Sequence, residues 1–215
     1  MATPTRKQHF DPACRKCTRL SRYLDSVRSE FPNYYCKPVP PFGDKNARLV
    51  IVGLAPGKHG ANATGRPFTG DYAGILLYKM LHKFGYANRA VSRGEGDGLK
   101  LIGCRITNAV KCLPPENKPT NREILECNHF LRAELARCRE GSVVLALGLV
   151  AHKAVLKTYG HVQARFAFKH NQAYGLDEGI TLLDSYHCSR YNTQTGRLTE
   201  LMFEQVFEKA GILLS

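Results

Sequence analysis

Three polar stretches of this chain carry side chains that could do chemistry, and each of them follows an apolar run. The first stretch, residues 55–71, contains Phe68 and a single carboxylate, Asp71. The second runs from Asn108 to Cys112, and the third runs from His187 to Asn192. An aromatic ring, an amide and an imidazole in these places indicate a site that holds a flat, polar ring.

Each of these side chains has a chemical use and a plainer alternative. Asn108 presents a hydrogen-bond donor and an acceptor together, which is the pair needed to read the edge of a pyrimidine. His187 can stabilise negative charge on a leaving group, and Phe68 offers a flat face for a base. The alternatives are core packing for Phe68, a turn for Asn108, a structural role for His187, and an N-cap for Asp71. Because the three stretches lie at three predicted strand ends, we favour a shared site.

The glycine-rich segment "VGLAPGKHGANATGRPFTGDYAG" (52–74) does not have the spacing of a nucleotide-cofactor loop. It lacks the Gly-Lys-Ser/Thr of a P-loop, and its glycines do not match the dinucleotide fingerprint. Its backbone amides could instead receive the phosphates of a nucleic acid.

Four of the eight cysteines are spaced as possible metal ligands. Cys14 and Cys17 form a tight Cys-x-x-Cys pair, whereas fourteen residues separate Cys112 from Cys127. Four thiolates satisfy a zinc ion or a [4Fe–4S] cluster equally well. Zinc ribbons usually have two tight pairs, so the wide second pair leans modestly toward the cluster. The alternative is that Cys112 and Cys127 are buried apolar side chains and the tight pair is incidental.

The elements that must position these residues alternate between strand and helix. Patterns of buried strands lie at 47–54, 101–110, 142–148 and 179–189. Helical patterns lie at 73–85, 121–138, 149–160 and 197–211, with Gly85 and Gly211 as predicted stops. We therefore predict an α/β fold, a three-layer α/β/α sandwich around a mainly parallel four-stranded sheet. Ligands of such sheets bind beyond the carboxyl ends of the strands, where the three polar stretches lie.

The same pattern predicts one domain over residues 1–215. Its N-terminal part, residues 10–36, reads as a helical segment that contains the Cys-x-x-Cys pair and binds the metal or cluster. No internal repeat or low-complexity tract interrupts the chain.

The charge of the chain favours a polyanionic partner. Thirty-one Lys and Arg residues against eighteen Asp and Glu residues give a formal net charge of +13. Such a balance is most often found in nucleic-acid-binding proteins. No stretch reaches the length of about 20 apolar residues that a membrane helix needs, and the first residues have no apolar core of a secretion signal. We therefore expect a cytoplasmic protein with no membrane partner, and we expect a monomer.

Taken together, "GLAPGKHGANATGRPFTGDYAG", "ITNAVKC" and "HCSRYNTQTGRLT", with the four spaced cysteines, resemble the family 5 uracil-DNA glycosylases, the bacterial and archaeal iron–sulfur branch of that superfamily. The similarity extends from the first cysteine to the last predicted helix. It implies an α/β/α fold with a parallel sheet and excision of uracil from DNA. It also implies a structural [4Fe–4S] cluster, rather than zinc, on Cys14, Cys17, Cys112 and Cys127.

The resemblance further implies roles for the side chains of the site. The flipped base would approach Gly53 and Ala55, stack on Phe68 and present its edge to Asn108. His187 would donate a hydrogen bond to the carbonyl oxygen that gains charge as the base leaves. The implied substrate range is wider than uracil and includes hypoxanthine and some modified pyrimidines.

The attacking water needs a polar partner, and the branch has an alanine where other branches have a polar or acidic residue. Ala55 fits that departure, so we expect Asp71 to position the water, with Asn62 as the reserve. The residues expected to bind DNA are His59, Ser189, Arg190, Tyr191 and Asn192. No nucleophilic lysine is required, so we predict a monofunctional glycosylase that does not cleave the strand and that acts on nucleoid DNA.

One position departs from the family pattern. The last motif usually reads His-Pro-Ser, and Cys188 stands here in place of the proline. Because proline fixes φ, we expect a less rigid loop. Two competing functions are a non-enzymatic nucleic-acid-binding protein with a metal-stabilised fold, and a glycosylase whose preferred base is not uracil. An experiment with competing duplex substrates distinguishes these functions by which base, if any, is released.

Overall fold

The computed structural model describes residues 10–215 and has a six-stranded sheet at its centre. The strands are β1 (Phe42–Gly43), β2 (Leu49–Gly53), β3 (Cys104–Asn108), β4 (Val143–Leu147), β5 (Ala173–Gly175) and β6 (Thr181–Ser185). They lie in the order β1-β3-β2-β4-β6-β5.

The predicted α/β class and parallel sheet are confirmed, but the predicted number of four strands is wrong. The four predicted strands, β2, β3, β4 and β6, pair in parallel and form the middle of the sheet. The two additional strands, β1 and β5, add to its edges in antiparallel orientation. They are two and three residues long, and none of their residues is buried. They therefore lack the continuous apolar run by which a buried strand is detected in a sequence.

Helices cover both faces of the sheet and so form the outer two layers. They are α1 (Thr18–Glu30), α2 (Ala61–Thr64), α3 (Tyr72–Lys83), α4 (Asn121–Leu135), α5 (Leu149–Thr158), α6 (Arg190–Gln194) and α7 (Glu200–Leu214). Successive side chains of a strand point to opposite faces. Leu49 and Ile51 of β2 accordingly pack in the core with α3 and α7, whereas Val50 and Val52 pack in the core with α4 and α5.

Two predicted helix boundaries were wrong and one was right. Gly85 follows α3 with φ +77°, the left-handed conformation expected of a helix stop. Gly211, in contrast, lies inside α7, which begins after its N-cap Thr199 and continues to Leu214 because its last leucines pack against the core. The Cys-x-x-Cys pair lies just before α1, not within a helix. Within residues 10–215, no helix is both long and apolar enough to cross a membrane.

Candidate active site

The carboxyl ends of the four parallel strands open into one cavity of about 550 Å³. Leu54 follows β2, Asn108 ends β3, Leu147 ends β4 and His187 follows β6, and all four residues line the cavity. The three polar stretches of the sequence therefore meet in one place. Most of the lining is apolar, with a few polar side chains converging on it, as in most small-molecule sites.

Phe68 forms part of the cavity wall and is also packed into the core. Its ring stacks beside that of His187, with centroids 5.9 Å apart and planes inclined by 24°. Its backbone has φ +57°, which is uncommon for a bulky residue and which the surrounding structure must hold in place. A Cβ on Gly53 would come within 2.6 Å of Cζ of Phe68 and 2.4 Å of Oδ1 of Asn108. Gly53 is therefore needed for the close approach of both side chains.

His187 follows β6 and supplies the imidazole of the site. Burial lowers the pKa of His187 to about 4, because the charged ring would lose its hydration. The imidazole is therefore neutral near pH 7, and a neutral ring has one N–H donor and one acceptor nitrogen. Such a group can donate to a neighbouring oxygen without bringing a positive charge into the cavity.

Asp71 lines the cavity but does not cap α3. It occupies the N-cap position, yet its side chain makes no capping hydrogen bond. Its carboxylate instead turns toward the 57–61 loop and accepts a hydrogen bond from the backbone N–H of Ala61 at 3.1 Å. A Cβ on Gly60 would collide with this carboxylate, only 1.9 Å from its Cγ. Burial raises the pKa of Asp71 above its usual value.

Asn62 and His59 belong to the same glycine-rich segment, but neither lies in the lining of the cavity. Asn62 is fully buried, and its Nδ2 lies 3.4 Å from the carbonyl of Lys58. His59 is exposed, and its Nδ1 lies 2.9 Å from the hydroxyl of Tyr34. Ala55 is half-buried and does line the cavity.

The third polar stretch forms the start of α6 at the mouth of the cavity. Ser189 caps α6 by accepting from the backbone N–H of Asn192, and the side chain of Asn192 donates to the carbonyl of His187 at 2.7 Å. Arg190 and Tyr191 reach the cavity rim. Tyr191 is 70% exposed, and the guanidinium of Arg190 lies over the ring of Tyr72.

Cys188, the residue in place of the family's proline, is fully buried. Its thiol lies 3.4 Å from the carbonyl oxygen of Ala73 in α3. Packing and this contact hold Cys188 in place, and the less rigid loop expected from the loss of proline stays a prediction.

Sequence reasoning missed two contributors to the cavity. Asn117 enters the lining from the loop between β3 and α4, where Glu116 and Asn117 both have positive φ, +53° and +56°. The first residues of α5, Leu149 and Val150, also line it. The sequence "PPEN" was the available signal for a turn that includes Asn117, because asparagine is enriched in the left-handed region.

Lys111 is a buried cation just outside the cavity. Its ammonium pairs with Glu134 at 2.9 Å and also donates to Thr107 Oγ1 at 2.5 Å and to the carbonyl of Asn108 at 2.9 Å. Its backbone N–H donates to Sγ of Cys127 at 3.3 Å. Lys111 therefore joins the end of β3, which carries Asn108, to the cysteine region.

The four spaced cysteines come together between α1, α4 and the loop after β3. Cys14, Cys17, Cys112 and Cys127 line one small cavity and belong to one apolar cluster. Among the described residues, no group of three or more His, Cys, Asp or Glu side chains converges on a single metal ion. Burial, together with the nearby thiols of Cys127 and Cys14, raises the pKa of Cys17 to about 11. Four thiolates here would therefore need a compensating cationic group.

The comparisons with known proteins agree on one protein family. The family model for the uracil DNA glycosylase superfamily matches residues 40–211. A type-5 uracil-DNA glycosylase of Thermus thermophilus is 45% identical over 203 residues, covering 92% of each chain. A type-5 uracil-DNA glycosylase of Pyrobaculum aerophilum is 44% identical, covering 92% of this chain and 88% of its own. Another from Mycobacterium leprae is 41% identical, covering 92% and 90%.

A solved structure shares the fold. The crystal structure of wild-type Pedobacter heparinus SMUG2 matches with a TM-score of 0.50 and 15% sequence identity. The match covers 90% of this chain and 85% of that chain.

Proposed function

The chain belongs to the uracil-DNA glycosylase superfamily, in its type-5 branch, and removes uracil from DNA in base-excision repair; from this premise we propose how its residues share the reaction. The observation that carries the proposal is the convergence of Phe68, Asn108 and His187 on one cavity beyond the parallel strands.

The base binds in this cavity after it leaves the DNA stack, because its glycosidic bond is inaccessible inside a duplex. The face of Phe68 receives the ring of the base, and the amide of Asn108 pairs with its polar edge. Ala55 and the backbone at Gly53 leave room for the nucleotide. Damaged and mismatched pairs cost less to open, which contributes to selectivity.

His187 stabilises the departing base. Its neutral N–H donates to the carbonyl oxygen on which negative charge grows as the glycosidic bond breaks. A preorganised donor of this kind is worth about 10²–10³ in rate at comparable sites. Because the ring is neutral, it donates this hydrogen bond without the cost of burying a cation.

Asp71 holds the water that attacks the sugar. Its carboxylate lies in the cavity lining and is fixed by the backbone N–H of Ala61, so its orientation does not depend on substrate. Asn117 lines the same cavity and is the second candidate for this role. Asn62, which is buried away from the lining, is a weaker candidate.

The mouth of the cavity receives the DNA. Arg190 and Tyr191 are exposed at the rim, and Tyr191 has the size to fill the space left by the flipped base. Ser189 and Asn192 support these two residues by fixing the start of α6. His59 extends the surface from the glycine-rich segment.

Cys14, Cys17, Cys112 and Cys127 would hold a [4Fe–4S] cluster of structural use. A four-iron cluster binds each cysteine through a different iron, so its ligands need not converge on one ion. When bound, the cluster would supply the cationic charge that four buried thiolates require. The cysteines tie α1 and α4 to the loop after β3, and so they hold the segment that carries Asn108.

Product analysis tests this proposal. Purified protein is incubated with duplexes that contain uracil or hypoxanthine, and the free base and the abasic strand are measured. We expect release of uracil, slower release of hypoxanthine, and abasic strands that break only after alkali treatment. Strand breakage without alkali would contradict the monofunctional mechanism. Preferential release of another base would favour the alternative substrate class.

A further inference from the structure

A second cavity of about 420 Å³ lies beside the active site and shares Phe68, Asp71 and Tyr72 with it. Its far wall is formed by residues 90–92. Tyr72 is 44% exposed and Val91 is 59% exposed, so the surface between the two cavities is partly apolar.

The surface continues from there onto a basic region. A third cavity is lined by Arg89, Ala90, Val91, Arg93 and Asp97, and it shares Ala90 and Val91 with the second. Both arginine side chains are exposed. The active site, the apolar stretch and the two arginines thus form one continuous path along the molecule.

The carboxylate of Asp97 anchors the loop that carries these arginines, residues 88–98, at several points. Asp97 accepts hydrogen bonds from the backbone N–H groups of Arg93, Gly94 and Leu99 at 2.8–3.2 Å. It also accepts from the guanidinium of Arg66 at 2.7 Å, in an ion pair that is almost buried.

Arg66 connects this loop to the active site. It lies two residues before Phe68 in the glycine-rich segment, donates to Ser92 Oγ at 2.9 Å, and stacks its guanidinium over Phe42. Since Arg66 neutralises Asp97, the exposed charges of the loop are Arg89, Arg93 and Glu95, which leaves it positive.

We propose that the 88–98 loop is a second DNA-binding element, in which Arg89 and Arg93 contact backbone phosphates beyond the flipped nucleotide. This inference rests on the proposed function, because it places the DNA strand along the surface that leads out of the active site. Arginine is well suited to phosphate oxygens, and a preordered loop loses little entropy on binding. The Arg66–Asp97 pair positions the loop and does not itself contact DNA.

The test is the salt dependence of DNA binding by the intact protein. The variant Arg89→Gln/Arg93→Gln is compared with wild type and with Lys153→Gln/Lys157→Gln, which removes two exposed charges from α5. Affinity for a duplex with a stable abasic-site analogue is measured over a series of salt concentrations. Each lost phosphate contact reduces the slope of log affinity against log salt by roughly 0.9, so we expect a reduction of roughly 2 for the loop variant. The α5 variant should keep the wild-type slope, and uracil release at saturating DNA should be unchanged in both.

Equal slopes for wild type and the loop variant would overturn the inference, as would an equal change in the α5 variant. Failure of the wild type to release uracil would instead count against the proposed function, so the two failures are distinguishable. Asp97→Asn, which weakens the anchor but keeps both arginines, should also reduce the slope. If that variant does not fold, the surface variants still decide the question, because exposed substitutions rarely affect stability.

Discussion

Phe68 and His187 lie side by side in the wall of the cavity, with ring centroids 5.9 Å apart. Phe68 comes from the loop between α2 and α3, and His187 follows β6. Gly53 leaves space for Phe68, because a Cβ there would come within 2.6 Å of Cζ of Phe68. The relative position of the two rings therefore depends on the sheet and on the absence of a side chain at Gly53.

Replacing Gly53 with alanine should abolish most uracil release while leaving DNA affinity nearly unchanged. The new Cβ would lie 2.4 Å from Asn108 Oδ1 and 2.6 Å from Phe68 Cζ, so both side chains must move. Single-turnover release and DNA binding are measured in parallel. The matched control is Gly211→Ala, where a Cβ meets nothing within 4 Å and the helix continues. Full activity of the Gly53 variant would contradict the geometry described for the site.

The rate of uracil release should fall in acid as the carboxylate of Asp71 becomes protonated. This fall is the acid limb of the pH–rate profile. Burial raises the pKa of Asp71, and the carboxylate must be ionised to hold water, so the rate rises with pH through this raised pKa. Because burial lowers the pKa of His187 to about 4, the rate should show no inflection near the usual histidine value of about 6.5.

The control for this profile is Asp71→Asn, which should lower the plateau and remove the limb. An Asn117→Ala variant should lower the plateau but keep the limb. A rate that falls as the pH rises through about 6.5, with a fall that disappears in His187→Gln, would show that the charged imidazole is the active form, and the neutral donor would then be wrong.

Replacing Lys111 with methionine should destabilise the fold by about 3–5 kcal/mol, the usual cost of removing one partner of a buried ion pair. Lys111 is 1% exposed and Glu134 is 9% exposed in this pair. The double variant Lys111→Met/Glu134→Leu should recover part of the loss, because it leaves no unpaired charge. Thermal unfolding measures both effects. Equal stability of the single variant and wild type would mean that the pair contributes little.

The purified protein should be brown and contain four iron and four sulfide per chain, as a [4Fe–4S] cluster on four cysteines requires. Cys14→Ser and Cys112→Ser should lose the colour and part of the thermal stability. Cys138→Ser is the control, because Cys138 lies outside the small cavity that the four cysteines line. A colourless protein with stoichiometric zinc would overturn the assignment.

The middle of the sheet could be predicted from the sequence because β2 and β4 are runs of buried, mostly apolar residues and β6 contains the buried pair Leu182 and Leu183. The convergence of Asp71, Asn108 and His187 followed from the rule that parallel strands end at one edge. The strands β1 and β5 could not be predicted, because a pair of edge strands two and three residues long carries no periodic signal.

The contribution of Asn117 and the orientation of Asp71 depend on tertiary structure. Two successive left-handed residues turn Asn117 into the cavity, and nothing in their own types requires this. Asp71 has the sequence position of an N-cap, yet its carboxylate bonds to Ala61 because Gly60 leaves space for it. Local propensity correctly predicted that α3 begins after Asp71, but it did not predict where the Asp71 carboxylate points.

The most direct test of the role of His187 compares wild type with His187→Ala in single-turnover release of uracil from a duplex, with DNA affinity measured in the same buffer. We predict that wild type releases uracil and that the variant is slower by about 10²–10³-fold with unchanged affinity. Release by the variant at the wild-type rate, or an equal loss of rate and affinity, would contradict charge stabilisation by this imidazole.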